Sequence, residues 1–162
     1  MTPHRHVPSI IAVLTERGET VSVAESVTAG GLGRALTFSP GASAVFLGGV
    51  IAYSNEVKIE HLDIDPELIT RHSVVSEEVA NAMADSIRKK FGTTWGIATT
   101  GVAGPGDFEG IAEGTVWIAI RGPINQSLQL ALDSGRDAIQ TGAISSAIGT
   151  FARILGASSK AK

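Results

Sequence analysis

The 162-residue chain is 43% hydrophobic, 18% charged and 5% aromatic with a formal net charge of −3, which suits one globular domain spanning 1–162 and offers no basic face for a polyphosphate backbone. It has no cysteine, excluding disulfides, thiolate nucleophiles and cysteine-based zinc sites. No run of 18 apolar residues exists for a membrane span and residues 1–18 lack the features of a secretory signal, so a cytoplasmic protein engaging neither membrane nor nucleic acid is expected.

Residues 7–17 read as a helix stopped by Gly18, and 20–24 as a short buried strand. Residues 29–37 look helical, with Leu32 and Leu36 four apart, until Ser39-Pro40-Gly41 breaks the pattern. The run 45–53 is almost wholly apolar and is expected at the centre of a sheet, with Gly48-Gly49 marking a bulge or a close contact. Ser54 to Lys58 reads as a helix start, Asp65-Pro66 as another, and Ser76-Glu77-Glu78 opens a long helix with Val79, Met83, Ile87 and Phe91 on one face. Residues 95–100 form a strand that runs into a glycine-rich loop, 101–106, followed by acidic Asp107, Glu109 and Glu113. Strands 115–121 and 127–132 pair as a hairpin, and a last helix with Ile144, Ala147, Ile148, Phe151, Ile154 and Leu155 in one stripe precedes a polar tail, 157–162.

Alternating strands and helices predict an α/β fold, a three-layer α/β/α sandwich on a mixed, mostly parallel sheet. Three strand ends then carry polar residues toward one crevice: Glu25-Ser26, Ser54-Asn55 and Thr100-Gly101. Ser26 reads as a helix cap or turn residue, with Thr28 a rival for that role, or as a nucleophile that needs a base. His4, His6, His61 and His72 lie in terminal or polar surface segments. Lys58 is the only lysine before residue 89; it reads as a solvated helix residue or, if buried at the strand ends, as a neutral amine able to act as a base. The loop 101–106 has neither P-loop nor dinucleotide-binding spacing, which leaves a flexible loop or an anion-binding nest. The acidic residues after it read as a solvated segment, with cation binding the alternative.

Four ordered motifs, Ala24-Glu25-Ser26-Val27-Thr28-Ala29-Gly30, Tyr53-Ser54-Asn55-Glu56-Val57-Lys58, Thr100-Gly101-Val102-Ala103-Gly104-Pro105 and Gly114-Thr115-Val116-Trp117, resemble the CinA C-terminal domain family across nearly the whole chain. The resemblance implies a stand-alone nicotinamide-nucleotide amidohydrolase that converts nicotinamide mononucleotide to nicotinate mononucleotide and ammonia, in pyridine-nucleotide salvage. It implies Ser26, Tyr53 and Lys58 as catalytic residues, no metal or organic cofactor, a small nucleotide substrate and a homo-oligomer. On that basis neutral Lys58, oriented by Tyr53, deprotonates Ser26, and amides around Val27 to Gly30 hold the oxyanion. Thr28, Gly30, Thr100, Gly101, Gly104 and Arg136 are substrate contacts, and Glu25 orients Lys58 or a ribose hydroxyl. Other readings are a nucleotide-binding module without catalysis and an amidase for a different small carboxamide.

The chain departs from the family pattern in three places. Ala29 stands where a second glycine is usual, a change that needs negative φ. Ile111, Ala112 and Glu113 precede Gly114 where a basic residue and a proline are common, and Gln140 replaces an arginine four residues beyond Arg136. These changes bear on substrate binding more than on the chemistry.

Overall fold

The computed structural model describes residues 4–133 and 135–156; the polar tail expected over 157–162 lies outside the described residues. Along the chain come α1 (Val7–Arg17), β1 (Val21–Glu25), α2 (Gly31–Leu36), a 3-10 turn (Ala42–Ala44), β2 (Phe46–Ile51), α3 (Asn55–Leu62), α4 (Pro66–His72), α5 (Glu77–Phe91), β3 (Trp95–Gly101), β4 (Thr115–Arg121), β5 (Gln126–Ala131) and α6 (Gly135–Leu155). Local chemistry sets most ends. Gly18 and Gly92 close α1 and α5 in the left-handed conformation, which a residue without Cβ adopts freely. Ser54, Asp65 and Ser76 cap α3, α4 and α5 by accepting hydrogen bonds from Val57, Glu67 and Val79 N–H groups.

The five strands form one sheet in the order β2-β1-β3-β4-β5. β1 runs parallel to both β2 and β3, while β4 is antiparallel to β3 and to β5. Alternate side chains enter two cores. Val21, Val23, Ile97, Val116, Ile118 and Ile120 pack toward α1, α2 and α6, whereas Ala24, Ala98 and Ala119 face α3 and α5. The small residues on that second face let α5 lie directly on the sheet: a Cβ on Gly96 would stand 2.2 Å from Ala84 O. The result is a three-layer α/β/α sandwich. Among the described residues no helix is long and apolar enough to cross a membrane.

Two expectations are corrected. The apolar run over 45–53 forms an edge strand, β2, rather than a central one, with Leu47 49% and Ile51 56% exposed. Its glycines have local reasons. Val21 opposes Phe46 while Ser22 opposes Gly48, so Leu47 bulges from the ladder, and a Cβ on Gly49 would lie 2.4 Å from Val23 O. Second, the helix expected over 29–37 begins only at Gly31, because Ala29 (φ 48°) and Gly30 (φ 93°) both take left-handed conformations. Ala29 therefore lacks the negative φ that would make it a neutral replacement for glycine, and an L-residue there is strained.

The topology opens the site. The chain leaves β1 toward α2 on one face and leaves β2 toward α3 on the other. A crevice forms beyond the carboxyl ends of parallel strands where connections part in this way.

Candidate active site

Ser26 is the first residue past β1, anchored by its N–H donating to Thr99 O at 2.9 Å. Ala29 N–H donates to Ser26 O at 3.1 Å and closes a turn over 26–29. Lys58 comes from the first turn of α3, where the Ser54 cap fixes the helix start and aims the side chain back under the strand ends. Its Nζ lies 3.0 Å from Ser26 Oγ. Lys58 is only 1% exposed, among the largest fully buried side chains described. Nζ also donates to the main-chain oxygens of Ala52 at 2.8 Å and Tyr53 at 3.4 Å. Burial pushes the ammonium down from 10.5 to about 8, opposed only by the negative charge of Glu56. A neutral amine there gives its two hydrogens to the two carbonyls and keeps its lone pair for the Ser26 hydroxyl proton.

Tyr53 therefore orients Lys58 through its backbone, not its phenol. The residue is 60% exposed, and its hydroxyl accepts from Arg136 Nη1 at 3.3 Å. Arg136, near the start of α6, also donates to Gly104 O, so a cation bridges the β2 end and the glycine loop.

Glu25 does not touch Lys58 and does not face the cleft. Its buried carboxylate accepts from Thr28 Oγ1 (2.6 Å), Gly30 N (3.0 Å), Leu32 N (3.0 Å) and Gly33 N (2.7 Å). It satisfies the free amides at the start of α2, which removes that helix end as a place for a phosphate. Thr28 is held between Glu25 and Thr99, its hydroxyl 2.7 Å from Thr99 Oγ1. Gly30 lies behind the turn, its amide engaged by Glu25. Of the amides over 27–30, those of Ala29 and Gly30 are thus occupied. Within the described residues Val27 and Thr28 N–H have no acceptor, so of these four amides only those two are left for an oxyanion.

The serine and lysine open onto a cleft of about 460 Å³, within the range of small-molecule sites. Val74, Val75, Val102 and Ala103 make an apolar wall; Thr100, Gly101 and Gly104 continue it, and Tyr53, Phe108 and Arg136 stand at its rim. The hydroxyl of Thr100 donates to Val74 O at 2.9 Å and is directed at that wall rather than at the opening. Val74, Val75 and Phe108 carried no signal in the sequence, because nothing local to them shows that the segment before α5 folds over the strand ends.

The acidic residues brace the loops. Glu113 accepts from Gly106 N at 2.7 Å and fills the space beside Gly104, where a Cβ would be 2.2 Å from its carboxyl carbon. Asp107 accepts from Glu113 N at 3.1 Å, and Glu109 from Ser73 Oγ at 3.0 Å. Among the described residues no cluster of three or more histidine or acidic side chains is arranged to hold a metal. Gln140, noted in the sequence only as a departure, donates from Nε2 to Val27 O at 2.9 Å.

A family model described as the CinA C-terminal domain matches residues 4–155. A CinA-like protein from Synechocystis sp. is 52% identical over 127 residues, which cover 76% of this chain and 30% of the relative. Another, from Prochlorococcus marinus, is 44% identical over 150 residues, 90% of this chain and 35% of the relative. The chain spans about a third of the length of such curated relatives. Among solved structures, the competence damage-inducible protein A of Klebsiella pneumoniae superposes with a TM-score of 0.91 at 28% identity, over 94% of this chain and 96% of that one. The competence/damage inducible protein CihA of Agrobacterium tumefaciens gives 0.87 at 30% identity, over 94% of each chain.

Proposed function

The chain belongs to the CinA C-terminal domain family, and from that premise we propose that it hydrolyses the carboxamide of nicotinamide mononucleotide through a serine–lysine pair. The observation that carries the proposal is the 3.0 Å approach of a fully buried lysine amine to a serine hydroxyl at the base of an open cleft. A serine is unreactive without an adjacent base, and a lysine is a base only when its environment strips its proton.

As Ser26 Oγ bonds to the carboxamide carbon, its proton passes to Lys58 Nζ and the carbonyl π electrons move onto oxygen. Val27 and Thr28 N–H receive that charge; each such donor contributes about 2.7–4 kcal/mol in comparable sites. Lys58 then returns the proton to the amide nitrogen as the C–N bond breaks, and ammonia leaves. Water attacks the acyl-serine, giving a proton to Lys58, which hands it to Ser26 Oγ as the acyl C–O bond breaks; the carboxylic acid so formed departs and loses its remaining proton to solvent. The apolar wall suits a flat ring and Arg136 an anionic group. Glu113, an anion braced under the glycine loop in the stretch where the family resemblance leads one to expect a basic residue, favours a second reading in which the substrate is a less anionic carboxamide.

Ser26→Ala and Lys58→Ala should each abolish ammonia release from nicotinamide mononucleotide while the thermal melt remains cooperative. Near-normal turnover by either variant would overturn the mechanism. Faster turnover of unphosphorylated nicotinamide riboside would favour the second reading, and nucleotide-dependent stabilisation without ammonia would identify a binding module.

A further inference from the structure

The peptide joining Val27 to Thr28 is gripped from behind. Gln140, in the second turn of α6, donates to its carbonyl oxygen, Val27 O, at 2.9 Å. Its amide hydrogen belongs to Thr28, whose own hydroxyl is fixed by Glu25 and Thr99. Thr28 is 4% exposed, and within the described residues its N–H meets no acceptor. A buried donor without an acceptor is costly and calls for an explanation.

Geometry supplies one. In the turn closed by Ala29 N–H and Ser26 O, the amides of the two central residues face the side that carries the Ser26 side chain, as first-turn amides face a capping hydroxyl. A planar trans peptide sets its C=O and N–H antiparallel. A donor that fixes Val27 O on the α6 side therefore aims Thr28 N–H toward the serine, and the hydrogen bond at the carbonyl also polarises the amide.

We propose that Gln140 is a positioning residue for the oxyanion site, holding the 27–28 peptide so that Thr28 N–H meets the charge that develops when Ser26 attacks. This rests on the serine–lysine reading above. Gln140→Met keeps the length and removes the donor; Gln140→Glu keeps the shape and cannot donate when ionised; Gln140→Lys restores a donor. Two readouts apply: kcat and KM for ammonia release, and inhibition by 3-pyridineboronic acid. The boronate becomes tetrahedral on Ser26 Oγ and so reports the oxyanion geometry whichever carboxamide is the substrate.

In the Met and Glu variants kcat and boronate affinity should both fall roughly tenfold or more, with KM within about twofold, and the Lys variant should recover to within about threefold of the parent. If the Met variant does not fold, the isosteric Glu variant carries the test. Unchanged kcat and boronate affinity in the donor-less variants, a rise in KM alone, or a Lys variant as impaired as Met would overturn the role of Gln140. A parent protein that binds no boronate, or a Ser26→Ala variant that still releases ammonia, would remove the serine mechanism and this role together. Inactive Ser26→Ala beside an unaffected Gln140→Met would remove only the latter.

Discussion

Replacing Lys58 by Met tests the buried amine through stability as well as catalysis. The fall of its pKa from 10.5 to about 8 corresponds, at 1.36 kcal/mol per pH unit, to roughly 3 kcal/mol by which burial disfavours the charged form. Below pH 8 the folded and unfolded chains are both protonated at this site, and the whole penalty weighs on the folded state. Between pH 8 and 10.5 the unfolded chain holds the extra proton, so stability rises with pH and the penalty fades. Loss of the bonds to Ala52 O and Tyr53 O adds a pH-independent offset to the variant. The informative quantity is thus the difference between parent and Lys58→Met in urea denaturation, measured from pH 7 to pH 10. That difference should shift by about 2–3 kcal/mol in favour of the parent as the pH rises. A difference that stays flat, or moves the other way, would show that Lys58 is solvated or paired in the folded chain and would refute its role as a neutral base.

Activity should follow the same titration, with kcat/KM rising about tenfold per pH unit up to roughly pH 8 and levelling above it. Glu56→Gln removes the charge that opposes the burial effect on Lys58 and should move the acid limb of that profile to lower pH. Glu25→Gln leaves one acceptor oxygen for four donors and turns an NH2 toward amides, so urea denaturation should show a loss of about 2–4 kcal/mol, accompanied by lower kcat. Ala29→Gly relieves a left-handed alanine and should gain about 0.5–1 kcal/mol after the added chain entropy of glycine, read as a higher melting temperature with activity retained.

Elements governed by local chemistry were legible in the sequence. Caps at Ser54, Asp65 and Ser76, the stop at Gly18 and the stripe of α5 depend on residues within one or two turns, and the structure forms them there. The order of strands in the sheet is not local. An apolar run like β2 looks the same in sequence whether it is flanked on both sides or only by β1, so its edge position is not legible there. Around the site, the polar strand ends pointed to Ser26 and Lys58, whose atoms the fold brings together. The division of labour among neighbouring polar residues was hidden. Whether Glu25 and Thr28 face a ligand or brace a turn depends on the left-handed conformations of Ala29 and Gly30 that follow them. Gln140 lies far from Val27 in the chain, and only the packing of α6 against the turn shows what it donates to.

The most direct measurement is mass spectrometry of the protein quenched in acid during turnover of nicotinamide mononucleotide. The account predicts an adduct equal to the substrate less ammonia on the peptide that contains Ser26, absent from Ser26→Ala and from Lys58→Met. An adduct on another residue, or ammonia released at the parent rate by a chain without that serine, would contradict it.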